Sequence, residues 1–119
     1  MNAILIDPYA ETITPVEYSG NYQDIYKLCD YELFTVVSVE PNGDGIYVDD
    51  EGLLKLTDET KFFTYAGYPQ PLAGKGLILG LNPRTGNSIG AKTPLETVKA
   101  KVKFYSLAQV RKTYAGRAI

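Results

Sequence analysis

Two β-forming runs meet across a tight turn, and they constrain this chain more than anything else in it. Residues 33–39 read "LFTVVSV" and residues 46–50 read "IYVDD", with the turn "PNGDG" between them. β-Branched and aromatic side chains fit a pleated, half-buried surface. A Gly-rich turn supplies the positive φ that a hairpin needs. A hairpin alone is marginal in water, so more strands or a helix must cover it.

The rest of the chain offers both. "AILI" at residues 3–6 reads as a buried strand, stopped by "DPY", and "ETITPVEY" at residues 11–18 as its return. Pro15 suits an edge position or a bulge. "ETKFFTYAG" reads as a short strand and "KGLILGLN" as an apolar one ending in the turn "NPRTGN". Residues 96–106 alternate, with Val98, Ala100, Val102 and Phe104 on one side and Lys99, Lys101, Lys103 and Tyr105 on the other. Tyr22, Ile25, Tyr26 and Cys29 fall at i, i+3, i+4 and i+7, one face of a helix that Asn21 or Ser19 caps. "SLAQVRKTYAG" reads as a second helix, with Ser106 at its start and Gly116 past its end. The expected fold is one α+β domain over residues 1–119, with a mainly antiparallel sheet of about six strands and two short helices.

Absences narrow the chemistry. The 119 residues include no histidine and no tryptophan, and Cys29 is the one cysteine. That removes Ser-His and Cys-His nucleophile pairs, an imidazole base, His-ligated zinc and any internal disulfide. An enzyme built on this chain would work through carboxylates, lysine or tyrosine. The composition favours a non-catalytic protein without cofactor or metal. No apolar run approaches the ~18 residues that span a bilayer. The opening "MNAILIDPYAE" lacks a basic n-region. A cytoplasmic protein is expected.

Charge is divided along the chain. Thirteen of the fourteen carboxylates lie in residues 1–60, against Lys27 and Lys55. Ten of the twelve basic residues lie in residues 61–119, against Glu96. Such asymmetry points to a charged partner, or to halves that neutralise each other. The expected partner surfaces are an acidic edge at Asp49, Asp50 and Glu51 and a basic face at Lys99, Lys101 and Lys103. Self-association of edge to face would give a salt-sensitive homo-oligomer. The lysine row could also meet nucleic acid, with the ten tyrosines for stacking. The net charge of −2 argues against that reading, and a lysine-rich strand also protects a sheet edge.

Two segments mimic ligand motifs. "EPNGDGIYVDDE" sets Glu40, Asn42, Asp44, Gly45, Tyr47 and Glu51 at the spacing of a calcium loop. Its flanks are strand-forming, however, so a hairpin turn is expected. "GYPQPLAGKG" ends in Gly-Lys, yet Pro69 stands where a phosphate loop needs glycine, and Gly76 where it needs Ser or Thr. What remains is a Pro-restrained loop whose Tyr68, Gln70 and Lys75, with Arg84, suit a nucleotide-like ligand.

"IYVDDEGLLK" followed by "GYPQPLAGKGLILG" resembles a group of short proteins carried by bacteriophages, prophages and plasmids. The likeness runs from Ala3 to Gly80. It implies a mobile-element accessory protein and carries over no catalytic residue. The leading expectation is a protein that binds and modulates a host protein, a defence protein among the candidates, through its acidic and tyrosine-rich surface. The alternative is a protein that sequesters a nucleotide-like signalling ligand. A pocket lined by the "GYPQPLAGKG" loop would favour the small ligand, and a pocketless tyrosine surface the protein partner.

Overall fold

Antiparallel pairing organises the chain into two sheets that pack face to face. The computed structural model describes residues 1–29, 34–50 and 55–113. In chain order the elements are β1 (Asn2–Asp7), β2 (Thr12–Glu17), α1 (Gln23–Cys29), β3 (Phe34–Ser38), β4 (Gly45–Asp49), β5 (Lys61–Tyr65), β6 (Leu72–Ala73), β7 (Gly76–Leu81), β8 (Ser88–Ile89), α2 (Leu95–Lys101), β9 (Val102–Ser106) and α3 (Leu107–Thr113). The large sheet runs β2-β1-β7-β4-β3, with β8 against the far end of β7. The small sheet runs β6-β5-β9. The fold is α+β, as the sequence patterns imply.

The hairpin around "PNGDG" forms, with Val36 opposite Tyr47 and Ser38 opposite Gly45. Two carboxylates of the calcium-loop-like segment have protein partners. The Glu40 carboxylate accepts hydrogen bonds from Tyr65 and Lys101, and that of Asp44 from the backbone of Lys92 and Thr93; Glu51 lies outside the described residues. β2, with Pro15 in it, is an edge strand.

Alternation assigns the layers. Ile4, Ile6, Ile46, Val48 and Ile78 project from one face of the large sheet onto Phe63, Tyr65 and Leu72 of the small one. Ala3, Leu77 and Leu79 project from the other face onto Ile25 and Cys29 of α1. Beyond the small sheet, Phe62 and Ala73 meet Leu107 and Val110 of α3. The layers are therefore α1, large sheet, small sheet, α3. Leu77, Ile78 and Leu79 of the central strand are buried on both faces, each contributing ~1.5–3 kcal/mol.

Residues 95–101 correct the sequence reading. They form a third helix, so strand alternation begins only at Val102. Leu95, Val98 and Val102 also obey i, i+3, i+7, and Val98 is fully buried while Ala100 is exposed. Pro94 enters with φ −62°. Glu96 in the first turn and Lys99 and Lys101 in the last complement the helix dipole. The lysine row on one strand face therefore does not exist. Lys99 lies 3.8 Å from Glu96, Lys101 reaches Glu40 at 2.6 Å, and Lys103 stands exposed on β9. Among the described residues, the Lys101–Glu40 pair joins the acidic and basic halves. The second expected helix is α3. Ser106 Oγ accepts from the Gln109 N–H while Gln109 Oε1 accepts from the Ser106 N–H, a reciprocal cap. Gly116 lies outside the described residues. No helix among them is long and apolar enough to cross a membrane.

Candidate ligand-binding site

The face of the large sheet under α1 is apolar until its last row. Ala3 and Leu5 of β1, Leu77 and Leu79 of β7, and Tyr47 of β4 belong to the α1 cluster. Alternation keeps Asp7, Lys75 and Asp49 on that same face. Ile6 is paired with Gly76, and Tyr47 with Leu77. Continuing both registers sets Asp7 and Asp49 on either side of Lys75. With Tyr9, Ala10, Cys29 and Gly74 they line a cavity of about 510 Å³.

Local chemistry holds each group. Asp7 ends β1 before Pro8, and its Oδ1 accepts the N–H groups of Tyr9 at 3.0 Å and Ala10 at 3.2 Å. This turn fixes the carboxylate and presents Tyr9. Asp49 meets Lys55 Nζ at 2.7 Å. Both glycines of "GKG" have structural reasons. Gly74 has φ +79° and its N–H donates to the Lys61 carbonyl at 2.9 Å. A Cβ on Gly76 would stand 2.7 Å from Phe63 Cζ and 2.8 Å from Ile46 Cγ2. Gly76 begins a strand rather than a helix, so no helix N-terminus receives a phosphate here. Among the described residues, the carboxylates of Asp7 and Asp49 stand with the ammoniums of Lys75 and Lys55 at this end of the sheet. They can hold a ligand that carries both an anionic group and hydrogen-bond donors.

The structure separates the residues chosen from sequence. Lys75 lines the cavity. Tyr68 is half-buried and packs against the core between the sheets. Gln70 is exposed in the loop before β6. Arg84 is exposed in the turn after β7, about 20 Å along that strand from Lys75 at ~3.3 Å per residue. Of the acidic edge, Asp49 lies in the cavity row and Asp50 is exposed, whereas Glu51 is outside the described residues. Sequence reasoning missed Asp7, Tyr9 and Cys29. The signal was present. Asp7 is the next same-face residue after Ala3 and Leu5, followed at once by a proline turn.

The family model for Domain of unknown function (DUF3846) matches residues 1–103, and the chain belongs to that family. No curated protein and no solved structure matches it.

Proposed function

We propose that this member of the DUF3846 family is a non-catalytic binding protein that captures a small polar molecule between Asp7, Lys75 and Asp49. One observation carries the reading: a lysine flanked by two carboxylates opens on a cavity of about 510 Å³, within the roughly 300–1,000 Å³ of small-ligand sites. An anionic group suits Lys75, while hydroxyl or amine donors suit Asp7 and Asp49. A nucleotide-like molecule with one phosphate and a ribose meets that description. A polyphosphate does not, because its further charges would face the carboxylates. The likeness to phage and plasmid proteins supports a role in sequestering a host signal in the cytoplasm.

The test is mass spectrometry of small molecules and proteins retained on purification, followed by affinity measurement on two variants. Lys75→Ala should weaken binding roughly ten- to a hundredfold and leave the melting temperature nearly unchanged. Tyr68→Ala should do the reverse, costing about 2–3 kcal/mol of stability as a packed aromatic while binding persists. A silent Lys75→Ala would remove the cavity from consideration. A second reading, a protein partner, is favoured by the large rings of Tyr9 and Tyr22 left in solvent, 53% and 60% exposed. Retention of a stoichiometric protein and no small molecule would put it first.

A further inference from the structure

The same sheet face carries a second recess, of about 540 Å³, at the N-terminal end of α1. Its wall is a run of aromatic rings. Tyr22 and Phe34 lie 6.4 Å apart between centroids, and Phe34 and Tyr47 5.2 Å. The Tyr47 hydroxyl is hydrogen-bonded to that of Ser88, which fixes its ring. At the mouth stand Gly20 and Gly86, with φ of +94° and +75°. Among the described residues, a Cβ at Gly86 would meet nothing within 4 Å. Tyr18 also lines the recess and is only 2% exposed. Its hydroxyl has no hydrogen-bond partner among the described residues. The ring is buried, but the hydroxyl is not an orphaned buried atom; bordering the recess and reached by solvent, it is available to a ligand.

We infer that this recess binds a flat heteroaromatic ring of nucleobase size, stacked on Tyr22 with a polar ring atom against the Tyr18 hydroxyl. Burial raises the Tyr18 phenol above its usual pKa, and Tyr47 and Asp24 add to the shift. The group therefore stays protonated at neutral pH and can donate to a ring nitrogen or carbonyl. A compact organic cation would also be drawn to the ring faces, but it would leave that hydroxyl unpaired. A purely apolar ring would do the same. The inference does not rest on the sheet-end cavity, since the length of β7 separates the two.

Titration of the ¹⁵N-labelled full chain, followed by NMR, tests this with three probes: adenosine, toluene and tetramethylammonium. Adenosine should shift Tyr18, Gly20, Tyr22 and Gly86 and saturate at the lowest concentration. Tyr22→Ala, at a position 60% exposed, should weaken adenosine roughly tenfold or more while the variant's spectrum stays that of the folded chain. Tyr18→Phe keeps the ring and should weaken it about fivefold or more through the lost hydrogen bond. Lys75→Ala should leave it unchanged. Four results would each overturn the inference: no saturable shift, tighter binding of tetramethylammonium or toluene, shifts centred on Gly74 and Lys75, or wild-type affinity in both tyrosine variants.

Discussion

Replacing Asp44 by alanine should remove about 3–5 kcal/mol of folding stability and lower the melting temperature by about 10–20 °C. Asp44 is fully buried. Its carboxylate accepts the Lys92 N–H at 2.9 Å and the Thr93 N–H at 2.7 Å. The Asn42 side chain completes the clip: its Oδ1 accepts the Asp44 N–H at 2.9 Å and its Nδ2 donates to Thr93 Oγ1 at 3.1 Å. The contacts tie the β3–β4 turn to the segment entering α2. Without the carboxylate, two backbone donors lose their acceptor, that of Thr93 in a buried place and that of Lys92 in a part-buried one, at ~1–3 kcal/mol each. β7 approaches closely at this point. A Cβ on Gly80 would already sit 2.7 Å from the Gly90 carbonyl oxygen and 3.2 Å from Asp44 Oδ1. Urea denaturation of the variant measures the loss directly. A change below about 1 kcal/mol would mean that residues 92–93 find other acceptors.

The second large effect belongs to Glu40. Its Oε1 accepts from the Tyr65 hydroxyl at 2.7 Å and from Lys101 Nζ at 2.6 Å. The Glu40 side chain is 9% exposed and that of Lys101 34%. Glu40→Ala should cost about 2–3 kcal/mol, below the full range for a buried pair because solvent screens Lys101. The hydrogen bond from Lys101 holds the Glu40 carboxyl below its ordinary range, and that from Tyr65 adds to it. Burial, and then Glu40 itself, raises the Tyr65 phenol. The signs differ. Glu40 has the lower pKa when folded, so its contribution is present above the usual 4.5 and is lost as pH falls through the folded value. Tyr65 has the higher pKa when folded, so its contribution is present below the usual 10.0 and is lost as pH rises through the folded value. Stability curves for the wild type and Glu40→Gln should therefore converge in acid and separate near neutrality. Curves that stay parallel as pH falls through 4.5 would show that ionisation of Glu40 is not linked to folding.

How far such features can be read from sequence depends on how many periodicities a segment satisfies. The hairpin at "PNGDG" was legible because its turn and both flanks agree. The edge position of β2 was legible from Pro15 alone, which cannot donate to a further strand. The α3 cap was half legible, since Ser106 was recognised without the reciprocal Gln109. Residues 95–101 were not legible. Over seven positions their apolar residues fit period 2 as well as 3.6, and only burial of Val98 decides. Of the cavity, Lys75 was found for an incomplete reason. The Gly-Lys pair suggested a phosphate loop, whereas the glycines serve a turn and a close approach to Phe63. Asp7 and Asp49 become one site only through the register of three strands, and β7 joins them from more than twenty-five residues away in sequence.

That placement of β7 dictates an order of events at the ribosome. The β1–β2 and β3–β4 pairs are each local, and both have been synthesised before Gly76 emerges. Until then β1 and β4 have no strand between them. Ile4, Ile6, Ile46 and Val48 wait without Ile78 to pack against. The late strand is the keystone of the nascent chain, and its arrival turns two separate hairpins into a sheet. A chain halted before Gly76 would present two unpaired strand edges to its neighbours, which is the condition for aggregation.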